Sequence, residues 1–522
     1  MDSRGLYRCS ADELWRRETG LVSPLKYRRK AGGCEDLIRR LELASTLEGH
    51  EGCVNTVNFN PAGDLLVSGS DDYNIIIWDW AQAKKKLLYN SGHTNNIFQA
   101  KVMPYSDNKT IVSCAADGQV RCGVISEAGT VETRLLGKHA HHAQKLALFP
   151  GSPSRFLSCG EDGVVYSFDL REKNPCKLFT CRPRGSLPPI RFSSTKYIEL
   201  YTIYVNPCNQ NFFAVGGTDE FARVYDLRKC GASSAGDGAV DCPVDTFAPK
   251  HLMRDGADRV HITCLVYSHQ EELLVSYNDE LIYLFQKSQG LGENPREHAA
   301  SSSSPSTSAS SACRSDEGRP LPSLKDRPSP ASSQKNEEEE DGCGISDAYG
   351  YPTSSLNEEV KVYKGHRNSK TIKGVNFLGP RDEYVISGSD CGHIFIWRKK
   401  DAKLVQFLKG DMDVVNAVEP HPHTTVLATS GIENNVKIWT PTKEKPSSLP
   451  ENAKKVMDEN EQQRDERLQG MRRAPHLVMH VSRMRRRARG EQSGADSLHP
   501  DSDEERFSDS DDDTMKPGCP IG

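Results

Sequence analysis

The 522-residue sequence lacks the features that mark several large classes of protein. No apolar run approaches the ~20 residues that a membrane helix needs, and the N-terminus MDSRGLYRCS has no apolar core, so we expect neither a membrane segment nor a secretory signal. The 16 cysteines are scattered without a C-x-x-C pair, which argues against a structural zinc site. The net charge of -5 gives no overall case for binding nucleic acid.

Motifs for catalysis are missing as well. The sequence contains no G-x-x-x-x-G-K-[ST] phosphate loop, no H-E-x-x-H motif and no paired carboxylates in a recognisable frame. Two groups of histidines could bind a metal weakly: one is His139, His141 and His142, and the other is His421 and His423. Neither group has acidic or cysteine ligands beside it, so we expect these histidines to lie at the rim without a metal. We therefore predict no enzyme activity, no catalytic residue, no cofactor and no metal.

What the sequence does contain is an internal repeat. Gly49-His50 is followed by the stretch SGSDD at 68–72 and then by IIIWD at 75–79, which is the signature of a WD repeat. The intervening residues alternate between apolar and polar, and the turn residues PAGD at 61–64 separate two such runs. This pattern predicts short antiparallel strands joined by tight turns.

The repeat recurs when an acidic residue is aligned six positions before an aromatic one. Gly123 replaces the aromatic residue in copy two, and Cys391 replaces the acid in copy six. Seven copies predict an all-β, seven-bladed WD40 β-propeller across residues 47–440. The aligned pairs are Asp72 and Trp78, Asp117 and Gly123, Asp162 and Phe168, Asp219 and Tyr225, Asp279 and Phe285, Cys391 and Trp397, and Glu433 and Trp439.

The first copy carries a complete set of polar residues. We predict that His50, Ser68, Asp72 and Trp78 form a buried hydrogen-bond network that fixes the blade. A His-Asp-Ser grouping resembles a catalytic triad, but here we expect the hydroxyl to be locked inside the blade and not to face a cleft.

Two segments interrupt or precede the repeats. Residues 1–46 are predicted to be a short helical extension, with apolar residues 37, 38 and 41 on one helical face and a second short helix near Trp15. These helices either pack on the propeller rim or dock in the groove of a partner. The Ser- and acid-rich insertion at 288–357 is predicted to be disordered and to leave the ring at a junction between blades.

The C-terminal tail, residues 441–522, is polar, Arg-rich and then acidic. Residues 451–473 are predicted to form a solvated helix. The arginines that follow form either a nuclear import signal or a solvated tail, and we expect the protein in the nucleus and the cytoplasm. The serines beside acids are phosphorylation candidates, or belong to an acidic tail without that role. The residues are Arg483, Arg485, Arg486, Arg487 and Arg489 for import, and Ser502, Ser508 and Ser510 for phosphorylation.

Copies three and four end alike, in FDLR at 168–171 and YDLR at 225–228. The arginine of this D-x-R ending lies just past a strand, where its guanidinium suits bidentate contact with a partner. The alternative is a salt bridge to a neighbouring blade. The paired endings resemble the propeller receptors of cullin-4 ubiquitin ligases, which engage their adaptor, damaged-DNA-binding protein one, through such arginines. The resemblance implies adaptor-binding residues Asp169, Arg171, Asp226 and Arg228.

The resemblance extends over nearly the whole propeller, to the family of damaged-DNA-binding-protein-one and cullin-4 associated factors. It implies a non-enzymatic substrate receptor of a cullin-4 RING ubiquitin ligase, with the adaptor on one surface and an unidentified protein substrate on another, and without nucleic acid or membrane. The alternative is a generic WD-repeat scaffold of the histone- or RNA-complex type. The strings that carry the resemblance are GCVNT at 52–56, LYTIYVNP at 200–207, ITCLVYSH at 262–269, SYNDE at 276–280, GSDCGHIF at 388–395 and EPHPH at 419–423.

Overall fold

The computed structural model describes residues 11–183, 197–230, 242–254, 260–292 and 359–473. Within these ranges the strands form seven four-stranded antiparallel sheets. This confirms the predicted seven-bladed β-propeller.

The strands are short and regularly spaced. In chain order they are β1 (Glu42–Glu48), β2 (Val54–Phe59), β3 (Leu66–Ser70), β4 (Asn74–Asp79), β5 (Lys84–Asn90), β6 (Ile97–Val102), β7 (Thr110–Ala115), β8 (Gln119–Ile125), β9 (Val131–Lys138), β10 (Ala143–Leu148), β11 (Arg155–Gly160), β12 (Val164–Asp169), β13 (Cys176–Thr180), β14 (Leu200–Val205), β15 (Phe212–Gly217), β16 (Ala222–Asp226), β17 (Asp245–Phe247), β18 (Ile262–Tyr267), β19 (Leu273–Tyr277), β20 (Ile282–Phe285), β21 (Lys361–Tyr363), β22 (Val375–Leu378), β23 (Tyr384–Ser387), β24 (His393–Arg398), β25 (Leu404–Lys409), β26 (Val415–Pro420), β27 (Leu427–Gly431) and β28 (Asn435–Thr440).

Blades one to six take four consecutive strands each, starting from β2, and blade seven consists of β26, β27, β28 and β1. The described helices are α1 (Ala11–Glu18), α2 (Pro24–Gly32), α3 (Glu35–Ile38), α4 (Lys250–Arg254) and α5 (Ala453–Arg473), with a 3-10 turn at Lys287–Gln289. Among them, none combines the length and the apolar character that crossing a membrane requires.

The apolar core lies between neighbouring sheets. Val67, Ile75 and Ile77 of blade one pack against Ile97 and Ile111 of blade two. The outermost strand differs, because the exposed lysines of β5 leave only its tyrosine buried. Apolar residues therefore fill the space between blades, each contributing about 1.5–3 kcal/mol by burial, while the rim remains polar.

The ring is closed by its two ends. β1 pairs antiparallel with β28, with Leu47 opposite Val436, and so supplies the outermost strand of the last blade. This pairing removes an open strand edge. It also corrects two boundaries: the helix predicted around residues 37–41 ends at Ile38, and the strand begins at Glu42, before the boundary predicted at residue 46.

The long insertion leaves from inside blade five. The third strand of blade five ends at Phe285 and its outermost strand begins at Lys361. The prediction that the insertion leaves the ring at a junction between blades was therefore wrong. A connection between the last two strands of a blade lies at the rim and interrupts no other pairing. The first residues of the insertion are tied to β17, because the Gly292 amide donates to Asp245 (2.8 Å) and the Thr246 hydroxyl donates to the Gly292 carbonyl (2.7 Å). Residues 293–358 lie outside the described residues.

The helix predicted to be solvated is docked. α5 places Ala453, Val456 and Met457 against an apolar cluster that blades five and six supply. One turn later Asn460, only 3% exposed, donates to the Gly365 carbonyl at 2.8 Å. The spacing of these four residues puts them on one helical face, which is the signal that predicts the contact.

The N-terminal extension divides into two parts. Ile38 and Leu41 are fully buried against blades six and seven, and Tyr384 donates to the Gly33 carbonyl at 3.1 Å, so this part packs on the rim. In contrast, Trp15 is 60% exposed and Leu21 is 68% exposed. Residues 33–41 thus pack on the rim. Trp15 of α1 and Leu21 of the turn after it remain exposed to solvent.

Candidate protein-interaction site

The four residues predicted to form a network in blade one are brought together. His50 Nδ1 lies 2.9 Å from Asp72 Oδ2, and His50 Nε2 lies 2.7 Å from Ser68 Oγ. Trp78 Nε1 donates to the same Ser68 oxygen at 2.8 Å. Because that oxygen accepts from the indole, its own proton is directed at Nε2, and Nδ1–H donates to the carboxylate. Ser68 is fully buried, which keeps this hydroxyl away from any cleft.

The same geometry recurs in blades two and three. His93 lies 3.1 Å from Asp117 and 2.9 Å from Ser113. His139 lies 2.9 Å from Asp162 and 2.7 Å from Ser158, so it belongs to a buried network and is not the rim histidine that the sequence suggested. The serines of these two networks, Ser113 and Ser158, were not predicted from the sequence. Each precedes its aspartate by four residues, as Ser68 precedes Asp72 in blade one.

The carboxylates of these networks are held in their charged form. Burial alone would raise the pKa of Asp72, Asp117 and Asp162. The histidine of each network and two backbone amides donate to each carboxylate, and these bonds outweigh burial, so the pKa is lowered. Each of these three blades therefore carries a fixed negative charge beside its second turn.

Blade two fills the place of its missing tryptophan from a neighbour. A Cβ atom on Gly123 would lie 2.9 Å from Tyr89 Oη of blade one. The tyrosine is buried, so the glycine provides the room that its ring needs. The departure from the repeat at this position is thus compensated by a residue of the preceding blade.

Blade six has lost its network. His366 is buried, and neither of its ring nitrogens has a hydrogen-bond partner among the described residues. Burial, together with nearby Arg464 and Lys373, lowers the pKa of His366 to about 3. The network is lost because Cys391 stands at the position of the acid. The preceding Asp390 does not replace it, since it pairs with Lys373 and accepts from the Ser369 amide.

Blade seven replaces the histidine with Asp411. Burial, and then the bond with Glu433, raise the pKa of Asp411 to about 6. The Trp439 indole still donates to Thr429 Oγ1 at 2.9 Å. The contact between the indole and the hydroxyl is therefore kept, and two neighbouring acids, Asp411 and Glu433, replace the contact between histidine and aspartate.

The D-x-R endings of blades three and four form two identical clamps. Arg171 Nε donates to Asp169 Oδ1 at 2.8 Å and its Nη2 to Oδ2 at 2.5 Å, and Arg228 contacts Asp226 in the same way at 2.9 and 2.7 Å. The backbone amide of each arginine donates to the same carboxylate at 3.0 Å. Each arginine is thus paired within its own motif, and the salt bridge to a neighbouring blade that the sequence left open does not form among the described residues.

The clamps fix the arginines without covering them. The side chains of Arg171 and Arg228 are 74% and 64% exposed, while those of Asp169 and Asp226 are 13% and 5% exposed. The bond from each arginine lowers the pKa of its aspartate, so both pairs are charged at neutral pH. The two guanidinium groups follow the third strands of consecutive blades and lie on the same face of the ring.

Two of the remaining histidines join blade seven to blade one. His421 Nε2 donates to the Gly63 carbonyl at 2.8 Å, and His423 Nε2 donates to the Pro61 carbonyl at 3.0 Å. Both rings therefore make backbone contacts between blades. The predicted import arginines at 483–489 and the predicted phosphorylation sites Ser502, Ser508 and Ser510 lie outside the described residues.

Comparison with known sequences agrees with the repeat pattern. The family model described as "WD domain, G-beta repeat" matches residues 41–79, 357–398 and 402–440. These blades are WD repeats. The matched ranges lie in blades one, six and seven and in the strands that adjoin them.

Several curated proteins are similar to this chain. WD and tetratricopeptide repeats protein 1 of Homo sapiens is 25% identical over 83% of this chain and 89% of its own length. DDB1- and CUL4-associated factor 6 of Mus musculus is 35% identical over 52% of this chain and 31% of its own length. Protein ALTERED SEED GERMINATION 2 of Arabidopsis thaliana is 32% identical over 49% of this chain and 37% of its own length. The chain thus spans about a third of the last two relatives.

Proposed function

We propose that this protein is a non-enzymatic substrate receptor of a cullin-4 RING ubiquitin ligase. The observation that carries the proposal is the pair of D-x-R clamps, in which Arg171 and Arg228 are held outward on consecutive blades. The name of one relative, DDB1- and CUL4-associated factor 6, states an association with DDB1 and CUL4, and this supports the proposed role in a cullin-4 ligase. In this proposal the clamp face binds the adaptor, damaged-DNA-binding protein one, and another surface binds a protein substrate. We also propose that the chain is the eighth member of the family of damaged-DNA-binding-protein-one and cullin-4 associated factors, because of the six sequence strings, such as LYTIYVNP at 200–207, that carry the resemblance.

The clamps suit such a role on physical grounds. An arginine that is already oriented by its own aspartate loses less side-chain freedom when a partner binds. Its remaining N–H groups can donate to carbonyl or carboxylate oxygens of the adaptor, and such charge-assisted bonds are the stronger ones. Because both aspartates are nearly buried, the pair offers the partner mainly the guanidinium.

The proposal is tested by the double variant R171A/R228A of the full chain. We expect co-purification of the adaptor and of cullin-4 to be lost, while the melting temperature stays near that of the wild type because both side chains are exposed. The matched control is R381A/K400A, which removes two exposed basic residues from turns of blade six on the same face. Full retention of the adaptor by R171A/R228A would overturn the proposal, and an assembly without cullin-4 would favour the generic scaffold.

The exposed apolar side chains of the N-terminal extension offer a second contact with the adaptor. We expect Trp15 and Leu21 to dock in a groove of the adaptor, because an amphipathic helix binds through such a face. The variant W15A should weaken adaptor binding by roughly 30-fold, as expected for an aromatic residue at the centre of an interface. L88A, which truncates an exposed leucine of blade one, is the control, and equal binding by W15A and wild type would remove this contact.

Entry into the nucleus is a separate proposal. The arginines at 483–489 resemble an import signal by composition. Replacing the five arginines with alanine in a fluorescent fusion should shift the protein towards the cytoplasm. An unchanged distribution would assign these residues to a solvated tail.

A further inference from the structure

A cavity of about 300 Å³ lies between α2 and blades five to seven. It opens on the face that carries the turns between first and second strands, near the mouth of the central channel. Helix α2 contributes Leu25, Arg28 and Arg29 to its lining. The apolar residues on the opposite side are Tyr204, Phe377, Pro380 and Pro420.

Two of the polar groups of this cavity are cations without a partner among the described residues. Arg28 and Arg29 are exposed, and neither makes an ion pair or a hydrogen bond with the described residues. His269 Nδ1 lies 3.2 Å from Asp382, and its Nε2 has no hydrogen-bond partner in the described part of the chain. The hydrogen bond with Asp382 raises the pKa of His269.

The cavity has little negative charge of its own. Asp382 is the only carboxylate among the described residues that line it, and it accepts from both the ring and the backbone amide of His269. The cavity therefore combines several apolar side chains with two guanidinium groups and with His269, which Asp382 favours in its protonated form. A suitable ligand carries several carboxylates or phosphates beside one apolar group.

We propose that this cavity binds the acidic C-terminal segment of the same chain, residues 501–513. The segment reads DSDEERFSDSDDD, so a single apolar residue, Phe507, stands with Arg506 and Ser508 between the acids at 503–505 and those at 509–513. Phe507 fills the apolar part of the cavity, and the neighbouring carboxylates meet Arg28, Arg29 and His269. The other acid run of the chain, at 337–341, has no apolar residue beside it and fits the cavity less well.

The connecting chain is long enough for this contact. Between the end of α5 at Arg473 and residue 501 the chain has a reach of roughly 90 Å when extended. Arg467 of α5 contacts Asp279 on the opposite face of the ring from the cavity. A strand of six residues spans about 20 Å, so the reach of the tether is several times the thickness of the ring. Phosphorylation of Ser508 would add charge next to Phe507 and tighten the contact.

Photo-cross-linking in the full chain tests the proposal, with Phe507 replaced by p-benzoylphenylalanine. We expect intramolecular cross-links to residues 377–382 and 420–424, mapped by mass spectrometry. The yield should fall by at least about tenfold in R28A/R29A, because the loss of even one of the two charge-assisted hydrogen bonds weakens binding by roughly that factor. The matched control is K84A/K86A, which removes two exposed lysines from β5.

Three results would overturn the proposal. These are cross-links to residues elsewhere in the propeller, an unchanged yield in R28A/R29A, and cross-linked dimers as the main product. Melting curves of both double variants separate loss of the contact from loss of the fold. Adaptor binding is measured on the same samples, and because the contact does not depend on the adaptor, either proposal can fail without the other.

Discussion

Removing the shared hydroxyl of the blade-one network tests how much such a network stabilises the ring. In S68A the Trp78 indole N–H and the His50 Nε2 both lose their partner, which now lies 2.8 and 2.7 Å away. Both groups are buried, so water cannot replace the lost bonds without opening the blade. An unsatisfied buried polar group costs about 1–3 kcal/mol. With two such groups, we therefore expect the free energy of unfolding to fall by about 2–6 kcal/mol.

The comparison that makes this measurement decisive is S430A. Ser430 is 5% exposed in the second strand of blade seven, but its hydroxyl has no hydrogen-bond partner among the described residues. Its removal should cost less than about 1 kcal/mol, since no bond is lost. Urea denaturation followed by tryptophan fluorescence measures both variants. Equal losses in S68A and S430A would show that the network contributes nothing beyond packing, and the reasoning would be wrong.

Three further variants test other features of the blades. The pKa of Asp411 is raised from 3.8 to about 6, so the stability from its proton is present at low pH and lost as the pH rises through 6; D411N, with an uncharged amide, should raise the melting temperature at about pH 8 and change it little near pH 4. G123A should destabilise the protein by about 1–3 kcal/mol, because its Cβ would lie 2.9 Å from Tyr89 Oη, and the added change Y89F should restore part of the loss. N460A removes the bond to the Gly365 carbonyl and should make α5 sensitive to limited proteolysis, whereas unchanged cleavage would show that apolar contacts alone hold the helix.

The sequence predicts the parts of this fold that repeat. Regular spacing of acidic and aromatic residues was enough for the number of blades, and the full set at His50 was enough for one network. The sequence suggests that residues before His50 could close the last blade but does not establish it, because β1 buries only Leu47 in full and has no alternating pattern. The place of the insertion was missed because the strand after it, β21 (Lys361–Tyr363), has only three residues. The pairing of Arg171 with its own aspartate depends on the turn that follows the strand, which the residue types do not define.

A stabilising network and a proposed binding group occupy opposite ends of one strand of blade three. In blade three, β12 follows Asp162, which the buried histidine holds, and ends at Asp169, which clamps the exposed Arg171. A strand of six residues separates the two aspartates by about 20 Å. The end with the network is constrained by packing and hydrogen bonds, whereas the turn at the other end has only to keep one carboxylate in place. Such a division explains how a ring can lose its network in blade six and still present ordered arginines on blades three and four, since the two features make no common contact.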